Sequence, residues 1–364
     1  MNWTVSDYTW MARALQLAER GRYSTHPNPR VGCVLVRDGQ LIGEGWHSQP
    51  GGAHAEVNAI LNAKTDTKGA ACYVTLEPCS HTGRTPPCTE ALIKAGIGRV
   101  IAAMEDPYPE VSGRGRGALE RAGIAVSSGL LSAQAARLNR GFVKRWTTGL
   151  PFVTCKMAMS LDGRTALADG ASKWITGAAA RQDVQRLRAG SSAIMTGIGT
   201  VLADDPRLDV RELDCGGRHP LRVIVDPSLR FPVRAKMFKR PGRILIMTRS
   251  HDGNTRTALQ GAGAEMVVID TAKDQFLREI LQYLAKQEEV NEILVEAGAT
   301  LAGSLLAAGL LDEMVLYQAP ILLGDSGKGL FHLPGITSMA EKIPLEIRET
   351  RQLGRDLRIT LTAL

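Results

Sequence analysis

The feature that most constrains the fold of this chain is a group of one histidine and two cysteines in three separate segments. His54 opens the sequence His-Ala-Glu, Cys79 follows Pro78, and Cys88 comes after eight more intervening residues. One imidazole and two thiolates suit zinc, and three protein ligands leave the fourth tetrahedral position for water. Both cysteines are predicted at or just before helix starts, where the positive end of a helix favours thiolates. The fold must therefore bring these three segments to one point.

A glutamate close to the histidine indicates which kind of zinc site this is. Glu56 lies two residues after His54, a spacing at which side chains diverge on a helix, so it is expected to reach the water rather than the metal. The order H-x-E followed by P-C-x-x-C is the signature of zinc nucleobase deaminases, in which this glutamate is the general acid and base. This sequence departs from that pattern, because eight residues rather than two separate its cysteines. The alternative is a structural zinc site with a fourth protein ligand, either His47 or His81. A catalytic site is favoured, because the glutamate has no purpose in a structural one.

Length and charge narrow the class of protein. A chain of 364 residues predicts two domains, and Thr-Thr-Gly-Leu-Pro at 147–151 predicts a boundary between residues 1–147 and 148–364. The net charge is +7, with 17 Lys and Arg against 12 Asp and Glu in the first part and 27 against 25 in the second. These charges are dispersed, so no nucleic-acid-binding arm is expected. The chain has neither a secretory signal nor an apolar stretch that spans a bilayer, which favours a cytoplasmic protein.

Both parts alternate predicted strands with predicted helices, which indicates α/β sheets covered by helices. In the first part the predicted elements include strands at 31–36 and 41–46, a helix near 54–63, a helix at 87–95 and a connecting helix at 132–145. In the second part they include strands at 152–158, 192–196, 221–226, 243–248, 265–269 and 291–296, and helices at 178–189, 274–286 and 299–309. Three strands near the C-terminus, at 314–318, 344–352 and 357–362, are predicted to be antiparallel.

The second part contains a weaker signal for a bound phosphate. The segment 196–202 has only the first two glycines of a dinucleotide-binding fingerprint. The segment 296–304 joins a predicted strand to a helix through small residues, which lets backbone amides approach a phosphate at the helix start. It lacks the lysine of a P-loop, so ATP hydrolysis is disfavoured. Taken alone, this segment is as consistent with a tight turn as with a phosphate site.

Several motifs closely resemble the bifunctional deaminase/reductase family of riboflavin biosynthesis. In the first part they are T-H-P-N-P-R-V-G-C at 25–33, G-G-A-H-A-E at 51–56 and V-T-L-E-P-C-S-H-T-G-R-T-P-P-C at 74–88. In the second part they are S-L-D-G-R at 160–164, S-K-W-I-T at 172–176, V-L-A-D-D-P at 201–206 and V-E-A-G at 295–298. The resemblance covers nearly the whole chain. It implies an α/β protein with an N-terminal cytidine-deaminase-like three-layer α/β/α domain and a C-terminal dihydrofolate-reductase-like α/β domain.

The resemblance also implies two reactions. The first is the zinc-dependent hydrolytic deamination of 2,5-diamino-6-(5-phosphoribosylamino)pyrimidin-4-one, with His54, Cys79 and Cys88 binding Zn2+ and Glu56 moving the proton. The second is the NADPH-dependent reduction of the ribosyl group, which gives 5-amino-6-(5-phosphoribitylamino)uracil. Nothing local in the sequence distinguishes NADPH from NADH.

The family pattern then assigns binding residues by position. Substrate contacts in the deaminase are Asn28, His47, His81 and Arg84. Substrate contacts in the reductase are Ser172, Arg188, Leu208, Arg211 and Glu296. Cofactor contacts are Ala158, Trp174, Thr200, Asp204, Gly298, Ala299, Thr300, Leu301, Ala302, Gly303 and Ser304. Two of these, Arg188 and Arg211, suit a phosphate monoester because a guanidinium binds it in a bidentate manner.

Three other functions compete with this interpretation. A nucleic-acid-editing deaminase would show basic patches with interleaved aromatics, but aromatic residues are only 5% of this chain. A free-nucleotide deaminase leaves the second part unexplained. A structural zinc module would tolerate the loss of Glu56. The expected partners are therefore a small phosphorylated pyrimidine and further copies of the chain in a homo-oligomer, with no nucleic acid and no membrane.

Overall fold

The chain divides into two compact units, Met1–Gly149 and Leu150–Leu364. The computed structural model describes residues 2–82, 86–109 and 111–363. Within these residues no helix is both long and apolar enough to cross a bilayer. Each unit has its own sheet and its own buried core, which confirms the prediction of two α/β parts.

The described residues of the first unit form a five-stranded sheet and six helices. The strands are β1 (Gly32–Arg37), β2 (Gln40–Trp46), β3 (Ala71–Val74), β4 (Arg99–Ala102) and β5 (Ala125–Ser128). The helices are α1 (Val5–Glu19), α2 (Ala55–Leu61), α3 (Cys88–Lys94), α4 (Arg114–Arg121), α5 (Ser132–Leu138) and α6 (Arg140–Thr148). The sheet order is β2-β1-β3-β4-β5. Strand β1 is antiparallel to both neighbours, whereas β3, β4 and β5 run parallel.

The sheet of the first unit is buried on both faces, as the predicted three-layer architecture requires. Along β1, Cys33 and Leu35 face a core shared with helices α2, α3 and α4. The alternate residues Val34 and Val36 face a second core shared with helices α1 and α5. Because successive side chains of a strand point to opposite faces, a continuous apolar run of this kind fills both cores at once. Cys33 and Cys72 are packed in the first of these cores, as expected from their positions in strands.

Two glycines in β2 let helix α2 lie unusually close to the sheet. A Cβ at Gly45 would lie 2.5 Å from the backbone nitrogen of Ala59 and 2.7 Å from the carbonyl oxygen of Ala55. A Cβ at Gly43 would lie 2.4 Å from the carbonyl oxygen of Ala59. Side chains at these positions would push α2 outward, so the glycines fix the helix whose first turn carries Glu56.

The predicted helix at 132–145 is wrong in one respect, because two helices occupy this region. They meet at Asn139, whose backbone (φ −109°, ψ 25°) belongs to neither helix. The buried Asn139 side chain accepts a hydrogen bond from the Arg30 N–H (2.8 Å) and donates one to the Arg30 carbonyl (2.9 Å). This pairing with a distant loop provides a partner that local helix propensity does not reveal.

The described residues of the second unit form a nine-stranded sheet, a small two-stranded sheet and five α-helices. The strands are β6 (Phe152–Met159), β7 (Arg164–Ala166), β8 (Ala193–Gly197), β9 (Leu221–Val225), β10 (Ile244–Thr248), β11 (Glu265–Val268), β12 (Glu292–Val295), β13 (Glu313–Gln318), β14 (Lys328–Gly329), β15 (Leu345–Leu353) and β16 (Asp356–Ala363). The helices are α7 (Ala178–Gly190), α8 (Ile198–Asp204), α9 (Gly253–Gly261), α10 (Phe276–Lys286) and α11 (Ala299–Ala307), with short 3-10 turns at Lys236–Lys239 and Met339–Glu341.

The order of the large sheet is β11-β10-β9-β8-β12-β6-β13-β16-β15. The first seven strands are parallel to one another. The antiparallel pairing predicted near the C-terminus is confirmed, since β16 is antiparallel to β13 and to β15. The parallel strands place their carboxyl ends at one edge of the sheet, which is where ligands bind in open α/β sheets.

Helix α8 was not predicted from the sequence. Its residues overlap the segment at 196–202, where two glycines obscured the helical pattern. In the structure Ile198 and Val201 are buried against the sheet, so tertiary packing outweighs the low helix propensity of glycine.

Candidate active sites

The three predicted zinc ligands come together in the first unit. The Nδ1 atom of His54 lies 3.1 Å from the Cys88 sulfur and 3.6 Å from the Cys79 sulfur. Zinc bonds of about 2.0 Å to nitrogen and 2.3 Å to sulfur place tetrahedral ligand atoms about 3.5 Å apart. The donor atoms of His54, Cys79 and Cys88 are therefore spaced as zinc requires.

The alternative of a fourth protein ligand finds no support among the described residues. There, the potential ligand atoms that cluster within 4.8 Å of one another belong to His54, Cys79 and Cys88 alone. The ring nitrogens of His47 face other partners: Nε2 lies 3.0 Å from Asn28 Nδ2, and Nδ1 lies 3.2 Å from the Ala53 carbonyl oxygen. A three-ligand set matches a catalytic zinc site, which keeps one coordination position open.

The electrostatics of the two cysteines differ. A hydrogen bond from Cys88, together with one from His54, lowers the pKa of Cys79 to about 4 although burial opposes this. The pKa of Cys88 is raised by its bond to Cys79 and by burial. The predicted helix start next to Cys79 is wrong, because this residue lies in the loop after β3. Its sulfur nevertheless accepts a hydrogen bond from the Cys88 N–H (3.4 Å), at the first residue of α3.

Glu56 lies beside the ligands but is buried, with 3% of its surface exposed. It is in the first turn of α2, and His54 immediately precedes that helix. Burial, reinforced by the negative charge on Cys79, raises the pKa of Glu56 to about 7. A hydrogen bond joins its side chain to Cys88. A carboxyl group with a pKa near neutrality is suited to accept and release a proton.

The predicted substrate contacts of the first unit are partly assembled around this centre. The His47 and His54 rings are 5.3 Å apart, and Asn28 contacts His47 on its other side. These contacts fit a His47 tautomer in which Nδ1 donates to Ala53 and Nε2 accepts from Asn28, and burial lowers the pKa of His47. His81 is exposed, with its ring 6.1 Å from that of Tyr108. The predicted Arg84 lies outside the described residues.

The sequence analysis assigned no role to Glu77, whose side chain connects the segment just before Cys79 to the start of helix α4. Its buried carboxylate accepts hydrogen bonds from the backbone N–H groups of Gly113 (3.1 Å) and Arg116 (3.0 Å) at the start of α4. It also accepts a longer bond from the Asp106 N–H (3.3 Å). An acidic residue directly before Pro78-Cys79 was the available signal, but its partners are more than 25 residues away in sequence.

The second unit places two predicted substrate residues in direct contact. Arg188 Nε and Nη2 donate to the two carboxylate oxygens of Glu296 at 2.5 and 2.9 Å. Lys156 Nζ lies 3.8 Å from the same carboxylate. Although burial opposes ionisation, the charge and hydrogen bonds of Arg188 hold the pKa of Glu296 down to about 2. Glu296 directly follows β12, at the carboxyl edge of the parallel strands.

Of the other predicted substrate residues of this unit, Arg211 is linked to Arg188 through Asp209, whereas Ser172 is not in contact with the pair. The Nη1 atom of Arg188 donates to the Asp209 carbonyl (2.9 Å), and Arg211 Nε lies 3.5 Å from the Asp209 carboxylate. Leu208, which directly precedes Asp209 in the chain, is buried and has a left-handed backbone (φ 49°). Ser172 is half-buried in the loop before α7, and no contact joins it to Arg188 or Glu296.

Several predicted cofactor residues meet where two helices begin at the carboxyl edge of the sheet. Gly298 is the N-cap of α11, and its N–H donates to the Thr200 hydroxyl of α8 (3.2 Å). A Cβ at Gly303 would lie 2.2 Å from the His332 carbonyl oxygen, so only glycine fits there. The remaining members of the 298–304 segment are Ala299, Thr300, Leu301, Ala302 and Ser304, all within α11.

The other three predicted cofactor residues are more scattered. Asp204 is the last residue of α8, and Ala158 lies on β6 opposite Tyr317. Trp174 is 69% exposed, with the Arg181 guanidinium 4.8 Å from its ring centroid. A backbone amide at a helix start with small neighbours is suited to a phosphate, which fits the pyrophosphate of NADPH.

Comparisons with protein families match both units separately. Residues 4–104 match the cytidine and deoxycytidylate deaminase zinc-binding region, and residues 151–359 match the RibD C-terminal domain. These two matches fit the Zn2+ and NADPH predicted as cofactors.

Comparisons with individual proteins cover the whole chain. It is 46% identical to riboflavin biosynthesis protein RibD of Escherichia coli over 97% of this chain and 98% of that protein. It is 45% identical to RibD of Haemophilus influenzae, over 100% of this chain and 99% of that protein.

Solved structures agree with these relatives. One of Acinetobacter baumannii RibD matches with a TM-score of 0.92 at 46% identity, over 99% of both chains. A diaminohydroxyphosphoribosylaminopyrimidine deaminase/5-amino-6-(5-phosphoribosylamino)uracil reductase from Thermotoga maritima matches with a TM-score of 0.87 at 32% identity, also over 99% of both chains. The chain therefore belongs to the RibD family of riboflavin biosynthesis proteins, in which a deaminase and a reductase share one polypeptide.

Proposed function

We propose that residues 1–147 deaminate 2,5-diamino-6-(5-phosphoribosylamino)pyrimidin-4-one and that residues 148–364 reduce the product to 5-amino-6-(5-phosphoribitylamino)uracil. The observation that carries the proposal is the convergence of His54, Cys79 and Cys88 beside a buried Glu56. The names of the full-length relatives support the choice of substrate.

In the deamination, water adds to the ring carbon that bears the amine, and ammonia leaves. Bound zinc supplies a Lewis acid that lowers the pKa of water towards neutrality. The Glu56 carboxylate takes a proton from the attacking water and delivers it to the departing nitrogen. His47 and Asn28, which are held against each other, bind the polar edge of the pyrimidine. His81 and Arg84, which lie between the two cysteines in the sequence, bind its remaining polar groups and the phosphate.

In the reduction, the ring-opened ribosyl group gains a hydride and a proton to become a ribityl group. Bound NADPH supplies the hydride. The turn at Gly298 and helix α11, with Thr200, Ala158, Trp174 and Asp204, hold the cofactor. Glu296 remains ionised between Arg188 and Lys156, so it orients substrate donors rather than exchanging protons. Ser172, Leu208 and Arg211 complete the substrate contacts.

The assembly and the location of the protein stay predictions from the sequence. We propose that the chain works as a homo-oligomer in the cytoplasm and binds no nucleic acid. The even dispersion of its positive charge supports the last point.

The test is to supply the full-length protein with the diaminopyrimidine substrate, with and without NADPH. With NADPH present, we expect one ammonia released and one NADPH oxidised for each substrate consumed. Without NADPH, ammonia release continues, because deamination precedes reduction. Oxidation of NADPH with no ammonia release would contradict the proposed order, and absence of both would overturn the proposed function.

A further inference from the structure

The exposed tryptophan of the second unit is held by an arginine from the helix that follows it. Trp174 is 69% exposed, although its neighbour Ile175 is buried. The Arg181 guanidinium lies over the Trp174 ring, 4.8 Å from the ring centroid. A guanidinium over one face of an exposed indole restrains the ring and leaves the opposite face for a planar ligand ring.

The same guanidinium is bonded to the backbone beside Trp174. Its Nη1 atom donates to the carbonyl of Thr176 at 2.6 Å. The backbone N–H of Arg181 donates to the carbonyl of Gly177 at 3.2 Å, as part of the first turn of α7. Arg181 therefore connects the segment 172–177 to the helix. A planar guanidinium can stack on a ring and donate a hydrogen bond at once, which an ammonium group cannot do.

A fully buried carboxylate from the C-terminal hairpin holds the end of the same segment. Asp356, the first residue of β16, has no exposed surface. Its Oδ2 atom accepts a hydrogen bond from the Gly177 N–H at 2.7 Å, and Gly177 is the N-cap of α7. Among the described residues, this N–H is the only hydrogen-bond donor to the Asp356 side chain. A negative charge here is also favoured by the positive end of the helix.

The turn beside Asp356 packs against the start of α7. Leu353 lies opposite Asp356 in the hairpin, and it packs against a buried cluster that includes Ala180 of α7. A Cβ at Gly354, in the two-residue turn between them, would lie 3.6 Å from the Ala179 Cβ, which is ordinary contact. The hairpin therefore supports the first turn of α7 by packing as well as by the Asp356 hydrogen bond.

We propose that Arg181 and Asp356 are positioning residues for the cofactor, which together hold the segment 172–177 so that Trp174 presents its ring to NADPH. The proposal deepens the proposed function and rests on it for the contact between Trp174 and NADPH. Asp356 has no surface with which to touch a ligand, so it acts through Gly177. Arg181 acts through the Trp174 ring that it covers.

The test is a calorimetric titration of NADPH into the full-length protein. We expect Arg181→Met to weaken NADPH binding about three- to tenfold, the effect of losing one cation–π contact and one hydrogen bond. The KM for NADPH should rise accordingly, with kcat at saturating NADPH little changed, because the turn at Gly298 still holds the bound cofactor. Arg186→Met is the matched control, since Arg186 is an exposed arginine of the same helix. It should weaken binding less than about twofold, because exposed ion pairs contribute little.

A double-mutant cycle separates positioning from direct contact with the cofactor. If Arg181 acts through Trp174, Arg181→Met weakens NADPH binding no further in a protein that already carries Trp174→Ala. An undiminished effect of Arg181→Met in that background would show that Arg181 meets the cofactor itself, and it would overturn the proposal.

A pair of substitutions tests the Asp356 hydrogen bond. Asp356→Asn keeps an oxygen that accepts the Gly177 N–H and should retain NADPH binding within about threefold, whereas Asp356→Ala removes the acceptor and should weaken binding about tenfold. Where the alanine variant does not fold, the Arg181 cycle decides the question. Equal effects of the asparagine and alanine variants would contradict a role through this hydrogen bond.

The titration also separates this proposal from the proposed function. Wild-type protein that binds NADPH, with Arg181→Met and Arg186→Met equal to it, would overturn the positioning role and leave the proposed reductase standing. Wild-type protein that binds no NADPH would overturn the proposed cofactor and the positioning role together. Ammonia release should be unchanged in the Arg181 and Asp356 variants, because both residues belong to the second unit.

Discussion

Two glutamates that are buried or nearly so, one in each unit, experience opposite electrostatic environments. Glu56 is buried beside Cys79 and Cys88, and its pKa rises to about 7. Glu296 is buried with Arg188 and Lys156, and its pKa falls to about 2. Glu56 lies in the first turn of α2, and Glu296 directly follows the last residue of β12. The difference teaches that burial alone does not define the role of a carboxyl group, whereas its partners do.

The comparison assigns one glutamate to proton transfer and the other to orientation. A group whose pKa is near neutrality changes its protonation readily, but a permanently ionised carboxylate with a bidentate arginine cannot serve as an acid. Variants that remove only the charge of each glutamate should therefore have different consequences. The three predictions below run from the largest expected effect to the smallest.

The first prediction is that Glu56→Gln lowers ammonia release about 100- to 10,000-fold, the range typical of general acid–base catalysis. The amide keeps the size of the side chain but cannot take up the proton. Zinc content, measured by metal analysis, should stay at that of the wild type, because Glu56 is not among the three ligands. Glu90→Gln is the matched control, since Glu90 is an exposed glutamate in the first turn of α3. Undiminished deamination by Glu56→Gln would contradict the assigned role.

The second prediction is that Glu296→Gln lowers the free energy of unfolding of the second unit by about 3 kcal/mol, because it leaves the Arg188 cation buried without its anion. Urea denaturation followed by fluorescence measures this change. Reductase turnover should fall as well, whereas ammonia release is retained.

A double variant checks the cause of that loss. Replacing both members, as Arg188→Met with Glu296→Met, should recover a large part of the lost stability, since neither charge is then unpaired. Equal or greater destabilisation of the double variant would show that the pair is not the source of the effect. A change below about 0.5 kcal/mol for Glu296→Gln alone would break the contrast with Glu56.

The third prediction concerns Asp7, a buried carboxylate outside both sites. It accepts hydrogen bonds from the Thr4 N–H (2.9 Å) and hydroxyl and from Tyr73 (2.7 Å), and Arg99 lies 3.1 Å away. Burial opposes its ionisation, but these partners lower the pKa of Asp7 from 3.8 to about 2. Its folded pKa is below its unfolded value, so its stabilisation is present above about pH 4 and is lost as the pH falls towards 2.

Asp7→Asn should therefore lower the free energy of unfolding by about 1–2 kcal/mol at pH 7. The difference from the wild type should shrink as the pH is lowered from 4 to 2, which urea denaturation at each pH measures. A difference that is constant across this range would contradict a role through the charge of Asp7.

The convergence of the three candidate zinc ligands could be predicted from the sequence, because the residue types and their spacing form local patterns. The spacing of His54 and Glu56 places both at one helix start, and Pro78-Cys79 follows a buried strand. The position of Cys79 relative to α3 could not be predicted, because its sulfur contacts the N–H of Cys88, nine residues further along the chain. Glu77 was missed for the same reason, since its partners are backbone groups of a distant helix.

The candidate site of the second unit was harder to predict from the sequence. Arg188 and Glu296 were assigned from a family resemblance, and their mutual contact spans 108 residues of chain. No local pattern predicts such a pair. The strands of both sheets were predicted well, because buried parallel strands are short apolar runs between polar turns. Helix α8 was not predicted, because glycine has a low helix propensity and the helix is stabilised by the tertiary packing of one apolar face.

The side-chain pairing of Asn139 with Arg30 sets a limit on how the first unit can be shortened. A fragment that ends soon after β5 would retain the three candidate metal ligands and the whole five-stranded sheet. It would nonetheless lose the amide that pairs with both polar backbone groups of Arg30, two residues after Asn28 in the loop that meets His47. The last helices before the second unit thus belong to the architecture of the first active site. A polypeptide cut that separates the two enzymes must fall after α6, and not at the end of the sheet.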